Sequence, residues 1–462
     1  MHRVNTERFN SALRTLAMGL SVGLSLALSA CGDGSDLNSP VAASTYTIGG
    51  TVTGLNAGAT LVLQDNGTDA VAVTANGAFA FPGALASGTA YAVTVGTRPN
   101  YQSCTVSNGT GSIASANVSN VSVVCAANGP QYAYVANSGD NNISVYSINA
   151  TTGALTQVGT PVVAGQGPSW ITVNPAGTYA YVANNGSNTV SAYSIDAATG
   201  ALTLVGSPVA AGTGPYSVAV PRAGTFAYVA NYGSNTVSAY SIDAATGALT
   251  QVGIPIAAGT GPHSVTVNPA GTYAYVANTG TNNISVYSID AATGALTAVG
   301  SPVPAGLYPI SVTVNPAGTF AYVANQTNDT VSAYSIDPTT GALTQLASSP
   351  FAAGAGPVSV TVNPAGTYAY VANYGLNYVS AFSIDAATGA LTPLAGSPFV
   401  AGNQPISVAV NPAGTYAYVA NYASNNVSAY SINPTTGALT QVTGSSYGAG
   451  SFPYSVAIGQ AR

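Results

Sequence analysis

A Tyr-Val-Ala-Asn motif that recurs seven times, four short extended runs within each interval, and a preceding stretch of alternating apolar and polar residues predict an all-β chain: a seven-bladed β-propeller behind a small β-sandwich. Composition fits that class. The 462 residues include 53 Gly and 29 Tyr but only 4% charged residues, where about a quarter is usual in soluble proteins. There is no Lys, and the cations are Arg3, Arg8, Arg14, Arg98, Arg222 and Arg462. These are too few and too scattered to neutralise a phosphate backbone, so nucleic acid is excluded as a partner. Acid–base chemistry is also short of parts. Glu7 is the only Glu, His2 and His263 are the only His, and the remaining acids are eleven Asp.

Residues 1–30 read as an export signal, with Arg3, Arg8 and Arg14 ahead of an apolar stretch, Leu16 to Ala30, that is too short for a permanent span. The junction Leu28-Ser29-Ala30-Cys31 resembles a bacterial lipobox, which implies an acylated Cys31 as the new N-terminus and membrane lipid as a partner. Residues 31–44, polar and Gly/Ser/Asp-rich, then serve as a tether. The expected location is the bacterial cell envelope, at the outer membrane, facing the periplasm or the surface. The mature chain would carry three Arg against eleven Asp, a net charge of −8. Cys104 and Cys125, 21 residues apart, are expected to form a disulfide in that oxidising compartment. Two Cys without neighbouring His do not complete a metal shell, and neither metal nor cofactor is expected.

Residues 45–127 form the predicted sandwich of six or seven strands, including Tyr46 to Val52, Thr60 to Leu63, Val71 to Phe81 and Tyr91 to Val95. Asn66-Gly67, Asn76-Gly77 and Asn108-Gly109 offer the positive φ of tight hairpins. The segments G-G-T-V-T-G-L and S-C-T-V-S-N-G are similar to those of small Ig-like modules behind lipoboxes in bacterial surface lipoproteins. That resemblance implies a spacer or adhesive module without chemistry of its own.

Residues 131–462 carry the propeller. The motif's Asn falls at 137, 184, 231, 278, 325, 373 and 421, at intervals of 47 or 48 residues. A lone four-stranded sheet of Ala, Val, Ser and Tyr cannot bury enough surface, so neighbouring units must cover both of its faces. The first unit lacks an inner run, and Ser455-Val456-Ala457-Ile458 at the far end matches the missing one. The C-terminal strand is therefore expected to clasp the first blade and remove two free edges. Asn-Pro-Ala-Gly, as at Asn174 to Gly177, fits a type I turn. The recurrent Asp196, Asp243, Asp290, Asp337 and Asp385 are explained by turn capping in Asp-x-x-Thr-Gly. One carboxylate per blade supplies neither an acid–base pair nor a calcium shell.

Together, Y-V-A-N, N-P-A-G-T-Y and S-A-Y-S-I-D resemble the YVTN type of propeller repeat and the related seven-bladed lactonase family. The resemblance implies either a lactonase, including 6-phosphogluconolactonases, or an exported propeller used for binding or scaffolding. Gly261-Pro262-His263-Ser264-Val265 is similar to the family's Pro-His motif, which implies a role for His263 in ring opening. The Arg and Glu partners that the family implies are absent from the propeller. Arg222 follows an inner strand and belongs to the opposite rim, and an acidic protein without a cationic clamp is poorly matched to a phosphorylated substrate. The favoured reading of His263 is a surface or channel-mouth residue standing where other units carry Ile, Val or Tyr.

Differences among the seven copies gather on one rim. After the Pro that enters each inner strand come Ser169, Tyr216, His263, Ile310, Val358, Ile406 and Tyr454, and beside them lies Trp170, the only Trp. Tyr232, Tyr308, Tyr374, Tyr422 and Phe452 are expected on the same rim, with Asp140 and Asp329 its only carboxylates. An aromatic mouth of this kind suits a glycan, a peptide or an envelope protein as ligand. The sequence thus favours a non-catalytic, membrane-anchored binding or scaffolding propeller, with a lactone hydrolase centred on His263 as the alternative.

Overall fold

The computed structural model describes residues 44–460 apart from 57, 98, 100, 101 and 128. Cys31 and the leader lie outside the described residues. All regular structure among the described residues is β, and no helix among them is long and apolar enough to cross a membrane.

The first eight strands are β1 (Thr45–Thr53), β2 (Leu61–Asp65), β3 (Asp69–Val73), β4 (Gly77–Ala86), β5 (Ala90–Thr97), β6 (Gln102–Ser107), β7 (Thr110–Ser112) and β8 (Val118–Ala127). They form two four-stranded sheets, β4-β1-β8-β6 and β3-β2-β5-β7, in which only β1 and β8 run parallel. Ile48, Val52, Phe79, Phe81, Val121 and Val123 of one sheet and Leu61, Leu63, Tyr91 and Val93 of the other share one buried cluster. The alternation of apolar and polar residues is what lets each strand contribute one face to it. Cys104 and Cys125 stand opposite each other on β6 and β8 and are joined in a disulfide.

Two of the three Asn-Gly pairs do not make hairpins. Asn66-Gly67 turns β2 into β3 within one sheet. Asn76-Gly77 and Asn108-Gly109 instead carry the chain from one sheet to the other, and Asn76 ties that corner by exchanging hydrogen bonds with the Leu55 backbone. Positive φ supplies the bend in either case, and the pairing partner decides its use.

The remaining strands make seven sheets. The first holds β9 (Gln131–Asn137), β10 (Asn142–Ile148), β11 (Leu155–Gln157) and β12 (Val162–Val163). The second is representative of the others: β13 (Pro168–Val173) lies innermost, followed by β14 (Tyr179–Asn184), β15 (Thr189–Ile195) and a broken outer strand that begins with β16 (Leu202–Leu204). The C-terminal strand, Pro453–Gln460, pairs with β9 from Pro453↔Asn137 to Gln460↔Gln131.

Each letter of the repeated motif has a physical duty. The Tyr hydroxyl donates across the blade interface to the glycine carbonyl of the next blade's Asp-x-x-Thr-Gly turn, as in Tyr181 to Gly247 and Tyr228 to Gly294. Tyr418 of the last blade closes the circle onto Gly153 of the first, and all seven bonds measure 2.8–3.1 Å. Val and Ala of the motif are buried in every copy. The motif's Asn is buried too. In Asn231 the amide donates to Thr236 and Ser238, and the carbonyl oxygen accepts the Gly212 N–H. A polar group at that depth is tolerable because its bonds are made.

Candidate functional site: the aromatic mouth around His263

A β-bulge builds the site. In the inner strands the register slips between the entering Pro and the residue two places on, so one residue is left unpaired. These extra residues are Ser169, Tyr216, His263, Ile310, Val358, Ile406 and Tyr454, and the last six all line a cavity of about 410 Å³ at one end of the channel. Bulges re-aim side chains in this way beside functional sites. Tyr232, Tyr308, Tyr374 and Tyr422 line the same cavity, together with Gln326.

The cavity has two characters. On one side Tyr216 stacks at a tilt over His263 with centroids 4.1 Å apart, Tyr232 stands 5.5 Å from Tyr216, and Tyr454 stands 5.8 Å from it. Tyr422 continues the arc, 6.0 Å from Tyr454 and 6.2 Å from Tyr374. On the other side the bulge positions are aliphatic: Ile310, Val358 and Ile406.

His263 is half-buried, and its Nδ1 lies 3.0 Å from the Ile310 carbonyl oxygen. That oxygen can only accept, so Nδ1 carries the hydrogen and Nε2 keeps a basic lone pair. Burial among rings pushes the imidazole pKa down to about 4, against a smaller opposing effect of the Ile310 bond. His263 is therefore neutral at physiological pH. Two of the phenols are held protonated: burial and the adjacent Tyr216 hold Tyr454 well above the usual range, and the Tyr232 hydroxyl with burial pushes Tyr308 up to about 12. Tyr454 and Tyr216 hydroxyls lie 3.4 Å apart. The cavity thus offers one neutral base and several hydroxyl donors, and among the described residues no carboxylate or cation lines its wall.

The two carboxylates expected on the rim are committed elsewhere. Asp140 accepts the Ser451 N–H at 2.7 Å, which lowers its pKa, and Asp329 accepts the Gly356 N–H at 2.8 Å. Neither lines the cavity. Trp170 does not line the mouth either. It sits one residue past the bulge and lines the channel and the narrow throat beneath the mouth. Phe452 stands at the edge of the mouth, 44% exposed, with its ring stacked 4.8 Å from that of Tyr422. Arg222 lines a separate cavity among the turns that carry Asn174, Pro175, Asn268 and Pro269. No group of three or more potential metal ligands exists among the described residues.

Sequence reasoning missed Gln326. Gln326 follows its Tyr-Val-Ala-Asn directly, at the place of Tyr232, Tyr374 and Tyr422, so comparison of the copies could have found it. Gln404, Tyr308 and Phe452 adopt φ of 53°, 56° and 54° just before the entering Pro, where four other blades have Gly167, Gly214, Gly261 and Gly356 in the same left-handed conformation. Side chains larger than Gly are strained there, and all three fall at the mouth end of their inner strands.

Comparison with known proteins agrees with the propeller fold. Residues 101–220, 212–362 and 346–451 match the model of the seven-bladed β-propeller lactonase family. No curated protein matches the chain at a significant level. Among solved structures, a candidate 6-phosphogluconolactonase of Bacteroides uniformis is similar at 21% identity, over 71% of this chain and 99% of that one, with a TM-score of 0.64. A second from Bacteroides fragilis is similar at 23% identity over 71% and 98%, with a TM-score of 0.62. The periplasmic gluconolactonase of Pseudomonas aeruginosa is similar at 22% identity over 72% and 100%, also at 0.62. At these identities the likeness establishes the fold, while the family match spans most of the propeller. The chain belongs to the seven-bladed β-propeller lactonase family.

Proposed function

We propose that this protein is an envelope-anchored hydrolase of uncharged lactones, with His263 as its general base. The observation that carries the reading is the neutral imidazole, its Nδ1 committed to Ile310, in a cavity ringed by tyrosine side chains. Family membership and the lactonase descriptions of the similar structures support it. A water held by Nε2 would attack the lactone carbonyl carbon and give its proton to Nε2. Tyr216, Tyr232, Tyr308 and Tyr454 are the hydroxyls available to donate to the resulting oxyanion. Collapse breaks the ring C–O bond, and the leaving alkoxide takes the proton back from Nε2, which yields the open hydroxy acid and restores the base. Among the described residues no cation lines the cavity, which argues for an unphosphorylated substrate.

A second reading, binding of a glycan, peptide or envelope protein without turnover, is favoured by the lack of a carboxylate partner for His263. Hydrolysis of glucono-1,5-lactone by the purified protein, compared with His263→Ala, separates the two readings. Release of acid that the variant loses supports the first, and binding without release supports the second.

In this reading Cys31 bears the acyl anchor, and the two-sheet unit at 45–127 acts as an Ig-like spacer that holds the propeller, 131–462, away from an outer membrane. Cys31→Ser should move the protein from the membrane fraction to the soluble one; retention in the membrane fraction would argue against the anchor.

A further inference from the structure

One residue past each bulge, the inner strands carry a second pattern, unbroken in six copies. Ser217, Ser264, Ser311, Ser359, Ser407 and Ser455 each accept, on Oγ, an amide N–H of the next inner strand at 3.3–3.4 Å; the donors are Val265, Val312, Val360, Val408, Val456 and Ile171. In the seventh strand this position is Trp170. There the serine bridge has moved back one residue. Ser169 occupies the bulge, and its hydroxyl lies 3.1 Å from both the Pro215 and the Tyr216 carbonyl oxygens. The exchange keeps the two strands linked while a large ring replaces a small hydroxyl.

That ring lies at a junction. Trp170 packs against the cluster that contains Val218 and Tyr181. It lines a channel of about 380 Å³ between the inner strands, bordered by Val and Thr residues such as Thr266, Val267 and Thr361. It also lines a throat of about 20 Å³ shared with His263, Ile310 and Tyr454. A space that small holds at most about one water. The mouth and the channel are each large enough for a small organic group, and the throat between them is not.

We propose that Trp170 is a specificity-determining residue: it closes the channel beneath His263 and restricts the mouth to compact, ring-sized neutral lactones, excluding those with a long unbranched alkyl tail. The lactone as ligand rests on the function proposed above, whereas the closure rests on Trp170 and the serine pattern alone. Replacing Trp170 by Ser, the residue of the other six strands, joins the mouth to the Val/Thr-lined channel and gives such a tail a place to lie.

The test measures binding of γ-valerolactone, γ-octalactone and γ-dodecalactone to the full-length protein and to Trp170→Ser by calorimetry, with acid release followed in parallel. The native protein should bind γ-valerolactone, with a change in the emission of its single Trp, and should bind γ-dodecalactone at least 10-fold more weakly. Trp170→Ser should bind γ-dodecalactone at least 10-fold more tightly than the native protein does. Trp170→Phe, which keeps a ring in the throat, should retain the native profile, and Trp170→Ala stands in if the Ser variant does not fold. The same chain-length profile in native and opened forms overturns the proposal, as does failure of every lactone to bind either. A shifted binding profile without acid release would leave the closure standing and remove the hydrolase; acid release with an unshifted profile would do the reverse.

Discussion

The two ends of the propeller are built from the same seven copies and have diverged to different degrees. At the turn end, Asn174, Asn268, Asn315, Asn363 and Asn411 accept the same two amides of their own turns. Asp196, Asp243, Asp290 and Asp385 each accept from the following Ala and Thr, and their pKa values are lowered chiefly by those Thr bonds. At the mouth end the blades diverge: the bulge alone holds Ser, Tyr, His, Ile and Val. Where the copies agree, the residue completes a bond that the fold needs. Where they differ, the side chain faces a shared cavity, and some carry a conformational penalty that the glycine-bearing copies avoid.

Four perturbations break or sharpen that contrast. Removal of 453–462 takes away the inner strand of the first blade, including buried Ser455 and Val456. The loss should rival the whole stability of a domain, about 5–15 kcal/mol; a melting curve like that of the native protein would contradict the clasp. Asn231→Ala strands the buried Ser238 hydroxyl and removes the acceptor of the half-buried Gly212 N–H. Denaturant titration should show a loss of about 2–4 kcal/mol, and a loss below that of a typical surface substitution would count against the motif's structural duty.

The third perturbation is pH. The fold depresses the His263 pKa from 6.5 to about 4, so between those values the unfolded chain binds a proton that the folded chain refuses. Its contribution is fully present above pH 6.5 and is lost as the pH falls towards 4. For a partly exposed ring this amounts to about 1–2 kcal/mol. His263→Ile, which copies Ile310 and Ile406, should flatten the slope of melting temperature over this window, and an unchanged slope would show that the imidazole is not depressed. The smallest effect is expected from Phe452→Gly. Relief of the left-handed φ outweighs the lost stacking on Tyr422, so the variant should be more stable by up to about 1 kcal/mol. A destabilised variant would mean that Phe452 serves the fold rather than the mouth.

The blade count and the all-β character were legible because the repeat announces itself at a fixed interval. The ring of Tyr-to-Gly bonds was not, since each joins residues 66 or more apart and nothing local marks the partner. His263, Tyr216 and Tyr454 were legible from the position after the entering Pro, and Tyr232, Tyr308, Tyr374 and Tyr422 from the variable loops of the same rim. Trp170 was misplaced because a bulge separates neighbours by function: the bulged residue turns to the mouth, and the next one re-enters the ladder and faces the throat. Asp140 and Asp329 looked available only because their amide partners come from loops distant in sequence or supplied by the next blade.

The central claim is that a neutral imidazole among phenols opens uncharged lactones. Its most direct test is the pH dependence of kcat/KM for glucono-1,5-lactone in the native protein and in His263→Ala. A base that must be unprotonated predicts activity lost below about pH 4 and level above it, and a drop of about 100-fold or more in the variant. Absence of enzymatic turnover, or turnover that the variant retains in full, would contradict the claim.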